Sequence, residues 1–487
     1  MTDPHESSAP LAYLAASEVM DQFADGSLRS LALVDVLYER MDAIDAPDTP
    51  VALRSIAARE QHARATAAER DEQRAHGVVL GPLHGLPVVI KDNVEAVGLP
   101  GAAGSTALLG RPARDAPLVA RLRAAGAVIV ASTNLSQWAN IRSERSTSGW
   151  SATGGLVANP WALDRSAGGS SSGSGAALAA GLAPLAIGTE TDGSIVCPAS
   201  LNGVVGLKPT VGVVPATHVV PISASQDSPG PMGRTVADVA RLFAVLSGTA
   251  PAEPAPVRVA VAANWRTGHA ATDDRFDEVV TALVAAGVAV DLRDVPLPGP
   301  EQGDDELAVL LAELVDDLSA YLADRPGTGV TSLAEVVEYE DRYRAREQPY
   351  FGHDLFLQAL ATGGRAGTAY ADARARNLLW ARETCLGPAL EGVDVLLAPA
   401  YGPAWKSDLV VGGHPGPTSG ATTPAAIAGW PIASVPIGFV HGLPIGAAII
   451  GRPNAEWQIL EVAAQLEAGV GVGFDRHRPG FTGPTRG

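Results

Sequence analysis

The chain has 487 residues and a formal net charge of 35 − 53 = −18, which repels phosphate backbones and argues against nucleic acid as a direct ligand. Charged residues make up 18%, below the roughly 25% of an average soluble protein, so a large apolar interior is expected. Two cysteines, Cys197 and Cys385, exclude a disulfide framework. No apolar run reaches the roughly 20 residues of a membrane helix, and the opening MTDPHESSAP is unlike a secretory leader, so the expectation is a cytoplasmic protein with no membrane contact.

From Ala16 to about Ala43, apolar residues recur at helical spacing (Val19, Phe23, Leu33, Leu37), broken by the Asp25-Gly26-Ser27 turn. Ser55 to His76, rich in Ala, Arg and Glu, predicts a second, surface helix. From Gly81 to about Gly248 short β-branched runs alternate with small-residue helical patterns. Leu86–Ile90, Ala127–Val130 and Leu185–Gly188 are predicted strands, and the Gly-Ser run 168–175 leads into a helix. Val257–Ala262, Asp273–Ala286 and Val288–Leu292 form a further strand-helix-strand unit. A turn-rich stretch to Gly303 opens a helical region at Asp304–Ala323, Val393–Ala398 is a strand, and Ile432–Gly451 is a hairpin turned at His441-Gly442. Strands alternating with helices, with no long linker, predict one large α/β domain with a buried sheet.

Three features carry chemistry. Only three of the 35 basic residues are lysine (Lys91, Lys208 and Lys406), and Lys91 ends an apolar strand. Burial there would lower its pKa and leave a neutral amine able to accept a proton, which a guanidinium cannot do; a solvated loop lysine is the plain alternative. The run Gly168-Gly169-Ser170-Ser171-Ser172-Gly173-Ser174-Gly175 lacks the Lys-Ser/Thr ending of a phosphate loop and sits beside a core, so a structural or ligand loop fits it better than a linker. After the strand ending at Gly188 comes Thr189-Glu190-Thr191-Asp192-Gly193-Ser194-Ile195, a polar turn of the kind that aims several N–H groups at one point, as an oxyanion requires; alone, it could equally be an Asp- or Thr-capped turn. A serine nucleophile needs a base, and Ser-Lys pairs are one variant of triad logic. His84 and His218 read as ordinary loop or core residues, and Cys197 as a small buried one.

Lys91-Asp92-Asn93, the Gly-Ser run, the turn at 188–195 and Gly206-Leu207-Lys208-Pro209-Thr210 together resemble the amidase signature family in order and spacing. The resemblance implies an α/β/α layered fold around a mixed twisted sheet. It also implies a triad in which Ser194 is the nucleophile, Ser170 the bridging serine with a cis peptide bond, and Lys91 the base. By the same resemblance the N–H groups of Thr191, Asp192, Gly193 and Ser194 form the oxyanion hole. No metal or organic cofactor is implied. Residues 1–487 are expected to form one domain, with 81–248 as its signature core and 301–390 as a helical variable region shaping the pocket.

The family often has Gly-Gly-Ser-Ile-Arg at the nucleophile turn, where this chain has Asp192-Gly193-Ser194-Ile195-Val196. That arginine can face a substrate carboxylate in some members, so Val196 argues against a small acidic amide. The Asp192 form, with Cys197-Pro198-Ala199 after it and Leu135 to Asn140 upstream, is most similar to the peptide amidase branch, although Gln137 stands where that branch tends to have Glu. The expected activity is hydrolysis of C-terminal peptide amides or similar neutral acyl amides, with release of ammonia, by a monomer or homodimer. The alternatives are the amidase subunit of a tRNA-dependent amidotransferase and a biosynthetic acyltransferase; a non-enzymatic ligand-binding protein on the same scaffold is the last reading.

Overall fold

A computed structural model of the chain describes residues 9–110, 114–251, 257–325, 327–413, 416–470 and 478–483. The opening stretch read as unlike a leader lies, up to residue 8, outside the described residues.

The strands are β1 (Ile56–Arg59), β2 (Pro87–Lys91), β3 (Val128–Thr133), β4 (Trp150–Ser151), β5 (Gly155–Leu156), β6 (Leu185–Glu190) and β7 (Val205–Lys208). They continue with β8 (Ser228–Gly233), β9 (Val259–Ala262), β10 (Val290–Arg293), β11 (Val395–Pro399), β12 (Ile432–Val440) and β13 (Leu443–Gly451). All but β4 and β5, which pair with each other, join one sheet in the order β1-β3-β2-β6-β8-β7-β12-β13-β11-β9-β10. The sheet is mixed. β2 runs parallel to β3 and β6, and β9 parallel to β10 and β11, while the ladder from β6 through β8, β7, β12 and β13 to β11 is antiparallel.

Alternation along each strand builds the layers. Val88, Ile90, Leu185 and Ile187 pack on one face with Leu118, Leu122, Leu242 and Leu246, from helices Pro117–Ala124 and Val236–Ser247. Val89, Val128, Val130 and Ala186 face the opposite way, against Ala176, Ala177 and Leu178 of helix Ser172–Ala179. The other half of the sheet is sandwiched likewise, Val261, Val435 and Ile449 meeting Phe276 and Leu466 on one side, and Ala260, Leu396 and Ile450 meeting Leu386 and Ile427 on the other. Each fully buried aliphatic side chain contributes about 1.5–3 kcal/mol of transfer free energy, so both faces are held by burial.

Two expectations are corrected. Ser55–His76 is not one helix: Ile56–Arg59 pairs antiparallel with β3 at the sheet edge, and only Ala63–Ala75 is helical. The helix expected to open at Asp304 begins at Pro300, where the fixed φ and missing N–H of proline suit a first helical turn, and it runs to Asp324. Helices Leu333–Arg342, Arg344–Glu347, Asp354–Thr362 and Thr368–Leu379 follow it. Among the described residues no helix is long and apolar enough to cross a membrane.

Candidate active site

Lys91 is the last residue of β2, fully buried, two positions beyond Val89 and so on the face that carries helix Ser172–Ala179. Its Nζ donates to Ser170 Oγ at 2.7 Å, to Thr189 Oγ1 at 2.8 Å and to the Thr189 carbonyl at 3.1 Å. Burial draws its pKa down to about 7, against the opposing pull of the Asp227 and Glu190 carboxyls. The amine is thus readily neutralised, as its place at a buried strand end implies.

Ser170 lies just before helix Ser172–Ala179, and the Gly169–Ser170 peptide bond is cis. Its carbonyl accepts from the Ser136 N–H at 3.1 Å. The run is no flexible linker. A Cβ at Gly173 would overlap the carbonyl oxygens of Ser55 and Asn134, so glycine there lets the helix reach the backbone around β1 and β3. Ser171 ties this loop to the next one: its N–H donates to the Ser194 carbonyl at 3.1 Å and its Oγ to the Thr189 carbonyl at 3.1 Å.

The turn after β6 presents Ser194, which is buried but for 9% of its surface. Glu190, which sequence reasoning did not single out, shapes the turn by accepting from the N–H groups of Ile195 at 2.6 Å and Val196 at 2.9 Å. Burial raises the pKa of Glu190, opposed by the Lys208 ammonium. Among the described residues, the N–H groups of Thr191, Asp192, Gly193 and Ser194 donate to no protein acceptor, so four donors lie between the satisfied ends of the turn. Gly193 has φ +75°, and a Cβ there would stand 2.7 Å from Tyr401 Oη. The flanks are fixed by side chains: Thr191 Oγ1 donates to Asp227 at 2.6 Å, and Thr423 Oγ1 to Asp192 at 2.8 Å.

The structure therefore joins Lys91 and Ser170 directly, and ties Ser194 to them through the backbone of Ser171. Thr189 and Asn93, whose Nδ2 donates to Thr189 Oγ1 at 3.0 Å, complete the surroundings of the amine; only the Lys-Asp-Asn run hinted at Asn93. Other residues weighed in the sequence stand apart from this chemistry. His84 has its Nε2 2.9 Å from the Arg70 carbonyl, and burial pushes the Cys197 thiol up to about 12, which leaves it an inert thiol at neutral pH. Val196 is core, packed with residues such as Ile427. Gln137 points into a buried polar network.

Residues 33–460 match the family model described as Amidase. The structure is similar to that of native peptide amidase from Stenotrophomonas maltophilia (36% identity, TM-score 0.88, 98% of this chain and 99% of that one). It is likewise similar to the peptide amidase PAM in complex with the competitive inhibitor chymostatin (37% identity, TM-score 0.87, 94% and 98% covered). A glutamyl-tRNA(Gln) amidotransferase subunit from Symbiobacterium thermophilum is 34% identical, over 92% of this chain and 95% of its own length.

Proposed function

This chain belongs to the amidase signature family and is an amide hydrolase, and from that premise we propose that it cleaves C-terminal peptide amides or similar neutral acyl amides through a Ser194 acyl-enzyme. The observation that carries the reading is the 2.7 Å contact between Lys91 and Ser170, in a loop bonded to the Ser194 turn. Neutral Lys91 takes the Ser170 proton as Ser170 takes that of Ser194, whose oxygen attacks the carbonyl. The N–H groups of Thr191 to Ser194 stabilise the developing oxyanion. The relay returns a proton to the nitrogen, so ammonia rather than an amide anion departs, and water attacks the acyl-enzyme by the same route.

The similarity to peptide amidases over nearly the whole of both chains supports the choice of acyl group. The helices within 301–390 form the variable wall of the pocket in this reading. A cytoplasmic setting suits two buried, unpaired cysteines. The similarity to an amidotransferase component favours a second reading, in which the same site supplies ammonia to a partner. Ammonia release from a C-terminal peptide amide, compared in wild type and Ser194→Ala, tests the proposal. Loss in the variant is expected, and undiminished release would overturn it; release only with an ATP-dependent partner would favour the second reading.

A further inference from the structure

Gln137 is buried between groups of opposite hydrogen-bonding sense. Its Nε2 donates to Glu347 Oε2 at 2.7 Å and lies 3.4 Å from Glu340 Oε1, while its Oε1 accepts from the Ala152 N–H at 3.0 Å. A carboxamide serves both sides; a carboxylate would put a third acid against two buried ones, and an aliphatic side chain would leave all three partners short. The two acids are otherwise engaged. Trp138 Nε1 donates to Glu340 Oε1 at 2.8 Å and His353 Nδ1 lies 2.9 Å from Glu340 Oε2. Arg142 stands 3.6 Å from Glu340, and Glu347 accepts from Ser105 Oγ at 3.0 Å and the Thr106 N–H at 2.9 Å.

The segment this network grips is unusual. Trp138, Ala139 and Asn140 have φ of +53°, +52° and +79°, three successive residues in a region that side-chain-bearing residues seldom adopt and keep only where surroundings impose it. One residue before Gln137, Ser136 donates its N–H to the Ser170 carbonyl and accepts the Gly149 N–H on its Oγ at 2.8 Å. One residue after Trp138, Ala139 borders a small cleft with Asn93, Thr189 and Thr191.

We infer that Gln137 is a positioning residue for the reaction: clamped by Glu347 and Glu340, its amide fixes segment 136–140 and, through the Ser136 N–H, the carbonyl of Ser170. The inference rests on the proposed role of Ser170. Gln137→Glu should lower kcat of the folded enzyme by about 10²-fold with KM little changed, the order expected when a reacting group is displaced by about an ångström. Adding Glu347→Gln restores a donor opposite the new carboxylate and should return kcat to within about threefold of wild type, since residues in contact couple. Gln137→Met, which adds no charge, covers the case in which Gln137→Glu does not fold, and should also lower kcat.

A purely structural Gln137 would lower the unfolding midpoint and leave kcat of the folded variants unchanged. That result, or a double variant no better than the single one, overturns the inference while wild type still releases ammonia. A wild type that hydrolyses no amide overturns the functional reading beneath it.

Discussion

Lys91 Nζ and Ser170 Oγ lie 2.7 Å apart with both residues buried, and among the described residues the other hydrogen-bond partners of the amine are the carbonyl and hydroxyl oxygens of Thr189. An ammonium has three protons for these three oxygens. A neutral amine keeps two for Thr189 and turns its lone pair to Ser170, so the same geometry serves either protonation state. In the proposed mechanism the neutral form is the base, so kcat/KM should rise with pH through about 7, the value to which burial draws Lys91. Lys91→Arg should lose this limb and about 10²- to 10⁴-fold in rate, because a guanidinium stays protonated. A pH–rate profile of both proteins checks it.

Glu190 is the acceptor for two buried N–H groups at the end of the turn that carries Ser194. Glu190→Ala leaves both unmet, at about 1–3 kcal/mol each, and frees the turn that presents Ser194. Urea unfolding should show the destabilisation, and kcat should fall beyond what the unfolded fraction explains.

The thiol of Cys197, three residues beyond Ser194, is buried and held up to about 12. Cys197→Ala should keep most of the activity, and iodoacetamide should not inhibit the native enzyme. Inactivation that the variant escapes would give the thiol a role in the chemistry.

Two glycines should respond in opposite directions. Gly173→Ala forces a methyl into the Ser55 and Asn134 backbone and should cost about 1–3 kcal/mol. Gly303 lies within helix Pro300–Asp324 with nothing inside 4 Å of a Cβ, so Gly303→Ala should stabilise by about 0.5–1 kcal/mol. Chemical denaturation of both variants decides.

The strands that carry the site were readable because their apolar runs are unbroken: Leu86–Ile90, Ala127–Val130 and Leu185–Gly188 each place the start of a strand to within a residue, although β3 and β6 run on into polar residues as far as Thr133 and Glu190, and the hairpin turns at His441-Gly442. β8 was not readable. Its Ser-Pro-Gly-Pro-Met-Gly has the composition of a turn, yet it runs between β6 and β7, where its ladder to β7 is confined to Met232 and Gly233 and leaves both prolines outside. A Cβ at Gly230 would overlap the Leu207 carbonyl oxygen, so close strand approach, which no local propensity encodes, selects the residue. The site divides similarly. Lys91 stood out as a rare residue type at a strand end and Ser194 as the serine presented after glycine in a polar turn, whereas Ser170 was distinguished from the other serines of its run only by the family resemblance. The bond from Gln137 to Glu347 spans 210 positions, and the turn-shaping carboxyl of Glu190 resembles any other acid in a loop.

Treating the protein with a serine-reactive phosphonate and mapping the adduct by peptide mass tests the Ser194 assignment at the atom concerned. One adduct is expected, on the peptide containing Ser194, lost in Ser194→Ala and greatly slowed in Lys91→Arg. An adduct on another residue, or labelling that persists in Ser194→Ala, would contradict it.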